Sequence, residues 1–366
     1  MPAIPPPGSN ELRALFPGTA RGVYVDSASY GLPPRATIAA LEAALRAWSE
    51  GSADWASDWD TAGDDCRTLL ARLVHADETE ITLLPAVSVG AGLVAASLGP
   101  RDEVVVPDDE FRSILFPLLA ASAASGASVR RVPFERLADE VGPATTLVAT
   151  SHVRSNGGGV QDLEALGEAA RRHGARVLLD ATHSAGVLDL DVGDPPVDYL
   201  VAAAYKHLLS PRGVAFMAVA RDAWDALPPL ASSWRSAAEP YASYYGGDLT
   251  DLASSAARFD VSLAWHAWVG ARESLTLLAS SDAAAREAWC VGLAEAFADA
   301  LGVSATGSTL VGFPVEDTAA ARDALRAAGV SASFPRGGAR VSFHVYNDES
   351  DVATAAAAFA PHMRRG

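Results

Sequence analysis

The sequence predicts an α/β fold, a mostly parallel doubly wound sheet with a smaller C-terminal α+β domain. Two patterns carry this expectation. Between about residues 80 and 220, short Val- and Leu-rich runs alternate with amphipathic stretches, as strands joined by crossover helices do. After residue 240 that alternation stops, and near the C-terminus a separate β-α-β-α pattern begins.

Each element has its own signal. "PRATIAALEAALRAWSE" (34–50) reads as a helix with Pro near its start. "EITLLP", "DEVVVPD", "TTLVATSHV", "ARVLLDA", "VDYLVAAA" and "GVAFMAVA" read as short buried strands. The helical "SVGAGLVAASL", "FRSILFPLLAASAASG" and "DLEALGEAARRHG" follow the first three of them. "PYASYYGGDLTDLASSAARFDVS" (240–262) is loop-like, and "WHAWVGARESLTLLA" (265–279) and an Ala-rich run over about 282–301 are helical. "STLVGFPV", "DTAAARDALRAAG", "ARVSFHV" and "DESDVATAAAAFAPHM" complete the small domain. The expected division is an N-terminal arm over 1–20, a large domain over 21–240 and a small domain over 241–366.

Bulk properties narrow the function class. The 366 residues are 49% hydrophobic, enough to bury a large core. A net charge of −17 without a basic stripe argues against nucleic-acid binding. The two cysteines, Cys66 and Cys290, lie far apart in helical text, so neither a disulfide framework nor a zinc site is expected. "MPAIPPPGSNELRALF" lacks the pattern of a secretory leader, and no run of eighteen apolar residues exists. A cytoplasmic protein without a membrane partner is the expectation.

The chemistry centres on "RVLLDATHSAGVLDL" (176–190), where Asp180 ends a strand and His183 follows three residues on. A carboxylate there sits where open α/β sheets bind ligands. Further on, "VAAAYKHLLSPRG" (201–213) puts Lys206 just after another apolar strand. A buried, unpaired ammonium is costly, so a lysine sharing a crevice with Asp180 calls for a reason. Pyridoxal phosphate supplies one. It needs a lysine for its Schiff base and a carboxylate to keep its pyridine nitrogen protonated.

Asp-Ala-Thr-His at 180–183 and Tyr-Lys-His at 205–207 resemble the class V aminotransferases, a group of fold-type-I pyridoxal-phosphate enzymes. That group also holds cysteine desulfurases, kynureninase and isopenicillin-epimerase-like enzymes. Other motifs agree in order. "YVDSASYGLPP" (24–34) is similar to the family's opening strand and turn. "PAVSVG" (85–90) resembles its phosphate-cradling turn, so backbone N–H groups of Ala86 and Val87 and the Ser88 hydroxyl are the implied phosphate ligands. "SHVRSNGGGVQDL" (151–163) resembles "HVNNETG", with Ser155 where an asparagine meets the cofactor's phenolic oxygen. "ARVSFHVYND" (339–348) is similar to "CRASLAMYNT", which implies Arg340 as the substrate-carboxylate ligand. Phe111 occupies the position of a ring-stacking histidine, and His183 the position of a His or Gln beside the cofactor.

The chain also departs from the pattern. Ala203 stands where a phosphate-binding Ser or Thr is usual, three residues before Lys206. "ARFDVSLAW" (257–265) resembles the "RFEAGTPN" segment that crosses to the partner's phosphate in these dimers. Its Gly-Thr pair is absent, and Ser262 is the residue carried over. No cysteine occurs in "VSASFPRGGAR" (330–340), where desulfurases carry their persulfide-forming thiol.

The resemblance therefore implies a homodimeric pyridoxal 5'-phosphate enzyme acting on an amino acid or amino-acid conjugate. Its reaction is expected to be a lyase C–S cleavage or a transamination rather than persulfide-forming desulfuration. An amino-acid epimerase and a catalytically degenerate cofactor-binding protein are the alternatives. A nucleotide-binding reading lacks both G-x-G-x-x-G and G-K-[ST]. The aromatic stretch "SSWRSAAEPYASYYGG" (232–247) points to a sizeable substrate or to a dimer-interface loop.

Overall fold

A computed structural model describes residues 4–364; residues 1–3 of the expected arm lie outside them. In chain order the elements are α1 (Asn10–Arg13), β1 (Val23–Tyr24), α2 (Arg35–Glu50), α3 (Ala62–Leu73) and β2 (Ile81–Leu84). Next come α4 (Val87–Ala95), β3 (Glu103–Pro107), α5 (Arg112–Ser125), β4 (Ser128–Val132) and β5 (Thr145–Ser151). The large sheet is completed by α6 (Leu163–His173), β6 (Arg176–Asp180), β7 (Tyr199–Ala203) and β8 (Ala215–Val219). Beyond it lie α7 (Trp265–Ala279), α8 (Ala283–Leu301), β9 (Leu310–Pro314), α9 (Thr318–Ala327), β10 (Val330–Ser331), β11 (Gly338–Ser342) and α10 (Glu349–Phe359).

Seven strands form one sheet in the order β2-β8-β7-β6-β5-β3-β4. Every pairing is parallel except the two made by β8. The strands read from apolar runs are all present. The one missed, β4, is an edge strand of sequence SVRRV whose side chains are half polar and only partly buried, so it gives no apolar run.

Alternation along each strand sends neighbouring residues into opposite cores. Val104, Val106, Leu178 and Val201 pack with Val87 and Val94 of α4 and Ile114 and Leu118 of α5. Val105, Val148, Leu179 and Leu200 face the other way, onto Leu70 of α3, Leu166 of α6 and Trp268 of α7. Two helical layers thus enclose the sheet, as a doubly wound fold requires.

At the C-terminal side, β9 and β11 pair antiparallel and pack with α8 and α10 around Phe297, Phe313, Phe343 and Phe359. Two elements cross the division drawn from sequence. Strand β1 pairs with β10, and α7 packs on α2 and α3.

The topology sets up one crevice. Strands β3, β5, β6 and β7 end on the same side of the sheet, where β2 turns into α4 and antiparallel β8 begins. Two glycines allow the close approaches there. A Cβ on Gly90 would meet the Val201 side chain at 2.8 Å, and one on Gly31 would meet the Lys206 carbonyl oxygen at 2.2 Å. The 26–31 turn therefore lies directly against the lysine loop, tied by the Gly31 N–H donating to the Tyr205 carbonyl at 2.9 Å.

Candidate active site

Strand β6 delivers Asp180 and its neighbour β7 leads into Lys206; the two strands pair with Asp180 opposite Val201. Both side chains line a cavity of about 160 Å³, together with Ala86, Val87, Ser88, Phe111, Ser155 and His183. Eight of the ten residues singled out from the sequence therefore surround one space.

The lysine is 7% exposed, and its Nζ lies 3.1 Å from His183 Nε2. Burial lowers its pKa to about 8; Asp180 opposes the shift, and Arg340 and Arg212 add to it. Burial likewise holds the His183 imidazole well below its ordinary value, reinforced by the Lys206 charge. A neutral His183 accepts from the lysine through Nε2, so its proton sits on Nδ1, which is buried without a partner among the described residues. Burial raises the Asp180 pKa, while the Thr182 N–H, donating at 2.8 Å, and Lys206 favour the carboxylate.

The turn into α4 has the features of an anion site. Ala86 is the N-cap and supplies no side-chain bond, so the first N–H groups of this buried apolar helix open into the cavity uncapped. On the far side Phe111 is 44% exposed and its ring centre stands 5.4 Å from Lys206 Nζ.

Arg340, on β11, does not line this cavity itself but bonds Ser155 of its wall. The residue is 7% exposed, and its guanidinium bonds only neutral groups. Nε donates to Ser333 Oγ at 3.1 Å, one terminal nitrogen to the Ser155 carbonyl at 2.9 Å, and the other to Ser29 Oγ at 3.2 Å. Burial lowers its pKa, with Asp26 opposing. A guanidinium bonded only to neutral oxygens keeps its charge and its planar fork, the chemistry that recognises carboxylates.

The Aminotransferase class-V family model matches residues 23–354. The chain belongs to this family. It is 33% identical over 174 residues to the uncharacterized aminotransferase YcbU of Bacillus subtilis, covering 46% of this chain and 47% of that protein. It is 31% identical over 181 residues to isopenicillin N epimerase of Streptomyces clavuligerus, covering 46% of each. The class V chain thus spans about half the length of the curated relatives it matches. Among solved structures, the cystine C–S lyase C-DES in complex with cysteine persulfide superposes with a TM-score of 0.86 at 25% identity. That match covers 95% of this chain and 100% of the other. The fold is accordingly that of the fold-type-I pyridoxal-phosphate enzymes, and the coenzyme is pyridoxal 5'-phosphate.

The class V cavity fits that group on its own chemistry. It offers a lysine amine with a lowered pKa, a buried carboxylate, an uncapped helix start and an orphaned His183 Nδ1.

Some sequence-selected residues fall elsewhere. Ser262 is exposed and outside the cavity of its own chain. The 232–247 stretch does not line the cavity either; Trp234 and Tyr244 pack on Trp55, and Arg235 and Tyr241 bind Asp60. Sequence reasoning also missed Glu110. This buried acid accepts from the Ser151 N–H and Oγ at 2.7 and 2.5 Å and from the Phe111 N–H at 2.6 Å, bracing two residues of the cavity wall. Burial drives its pKa up to about 7. Within "DDEF" nothing in the sequence separates it from exposed Asp108 or from Asp109, which pairs with Arg154; only its position beside the end of β5 does.

Proposed function

We propose that this chain is a pyridoxal-phosphate enzyme that acts on an amino acid or amino-acid conjugate by C–S cleavage or transamination. The observation that carries the reading is the Lys206 amine, with a pKa of about 8, held 3.1 Å from a neutral His183 in a cavity shared with Asp180. When bound, the coenzyme supplies an electron sink that stabilises negative charge at the substrate Cα.

The residues would divide the work as follows. Lys206 would hold the coenzyme and carry the proton at the substrate Cα. Asp180 holds the proton on the pyridine nitrogen. His183 would hold and orient Lys206 through Nε2. Ala86, Val87 and Ser88 at the α4 start would hold the phosphate, Ser155 would bind the phenolic oxygen, and Phe111 would pack on the ring. Arg340 binds the substrate carboxylate in its serine cage. Phe111 has no exchangeable proton, so Lys206 serves as the one proton carrier, which supports elimination or transamination over a two-base epimerisation.

The persulfide route of desulfurases is not proposed here. Cys66 and Cys290 are fully buried, burial pushes both thiols up, Cys290 to about 12, and neither lines the cavity. A cytoplasmic homodimer is the proposed assembly. It would account for Trp48, Tyr245 and Leu249 standing exposed and would bring Ser262 to the neighbouring site. Lys206→Ala is expected to abolish turnover and the coenzyme's covalent visible band. Assays of a panel of amino acids for keto acid, ammonia and sulfide then separate transamination from cleavage. Full activity in Lys206→Ala would overturn the reading.

A further inference from the structure

We propose that Arg212 is the cation that binds the coenzyme's phosphate, taking over from the hydroxyl that this chain lacks at Ala203. The phosphate carries close to two negative charges at neutral pH. An uncapped helix start offers only about half a positive charge, and the remaining groups at that end are weak. Ala203 contributes a methyl group, and its N–H is already spent on Thr182 Oγ1 at 3.0 Å. Arg212 lines the same cavity as Ala86, Val87, Ser88 and Ala203.

Three observations mark Arg212 as available. It forms no ion pair among the described residues, in a chain where most arginines near the sheet are paired with acids. Its guanidinium lies 4.8 Å from the centre of the Tyr205 ring, a stacking contact that restrains the side chain without consuming its hydrogen-bond donors. It also arrives on a short connection, since Gly213 and Val214 follow it along the cavity wall into β8. Placed there, its planar fork matches phosphate geometry. The same charge helps lower the Lys206 pKa, so a phosphate bound at Arg212 would partly relieve that effect.

The test uses the apoprotein titrated with pyridoxal 5'-phosphate and, separately, with pyridoxal, which lacks the phosphate. Binding is followed by the visible band rather than by turnover. Arg212→Ala is expected to weaken pyridoxal 5'-phosphate by roughly 10- to 100-fold, the range of a charge-assisted hydrogen bond, and to leave pyridoxal binding unchanged. Arg212→Lys should recover part of the loss, and Ala203→Ser in the Arg212→Ala background should recover part as well. Equal losses for the two ligands would show that Arg212 only props Tyr205 or the fold. No loss for either would show that it does not touch the phosphate. Either result overturns the proposal. Loss of binding of both ligands in the unaltered chain would instead count against the coenzyme site itself.

Discussion

Arg235 and Arg340 are both buried guanidiniums, 3% and 7% exposed, but their surroundings are opposite. Arg235 is ringed by carboxylates. It pairs with Asp60, with Asp64 at 2.6 Å and with Asp260 at 3.8 Å, and Asp60 also accepts from Tyr241 and Trp265. Burial alone would lower its pKa, yet those acids raise it. Arg340 forms no ion pair among the described residues; it bonds serine oxygens, the nearest carboxylate effect comes from Asp26 behind Ser29 and Ser333, and its pKa falls. A cation whose charge is already matched holds the fold together. Arg340, bonded only to neutral groups beside the cavity wall, is the one proposed to await a carboxylate.

The comparison breaks most visibly at Arg235. Arg235→Gln should cost about 3–5 kcal/mol, because it strands Asp60 beside buried Asp260; urea denaturation measures the loss. Arg340→Gln should change stability little, since serines are easily rehydrated or repaired. Substrate affinity should fall on the order of 10- to 100-fold, as expected for a charge-assisted bond, with the effect in KM more than in coenzyme content. If Arg340→Gln unfolds the protein as Arg235→Gln does, the distinction fails. Ser333→Asp sharpens it by placing a carboxylate directly against Arg340 Nε. KM should rise several-fold, and an unchanged KM would contradict the carboxylate role.

Lys206 is a third buried cation and gives the smallest signal. The unfolded chain keeps its proton up to about pH 10.5, whereas the folded apoprotein releases it near 8. The unfolded state therefore binds more protons in that window, and apoprotein stability gains a contribution as pH rises from about 8 to 10.5. Lys206→Met should remove that pH dependence and stabilise the apoprotein at neutral pH. Parallel curves for the two proteins would mean the amine is not desolvated.

Much of this was legible in the sequence because burial by neighbours leaves an apolar signature. The central strands, and the meeting of Asp180 and Lys206 in one cavity, follow from runs of Val, Leu and Ala ending in a charged residue. The edge strand β4 has no such run. The packing of α7 on α2 and α3 escaped for another reason: an amphipathic helix does not announce which face of which domain it covers. At the site, Arg340 could be picked out through its motif, but its cage could not. Ser29, Ser155 and Ser333 come from three separate segments, and serine carries little pattern of its own. Glu110 was hidden among acids for the same reason.

The central claim is that the coenzyme is held covalently by the Lys206 amine in the crevice it shares with Asp180. Borohydride reduction of the loaded protein, followed by peptide mass mapping, tests it directly. A single reduced adduct is expected on the peptide containing Lys206, absent in Lys206→Ala. An adduct on another residue, or none in a protein that still turns over substrate, would contradict it.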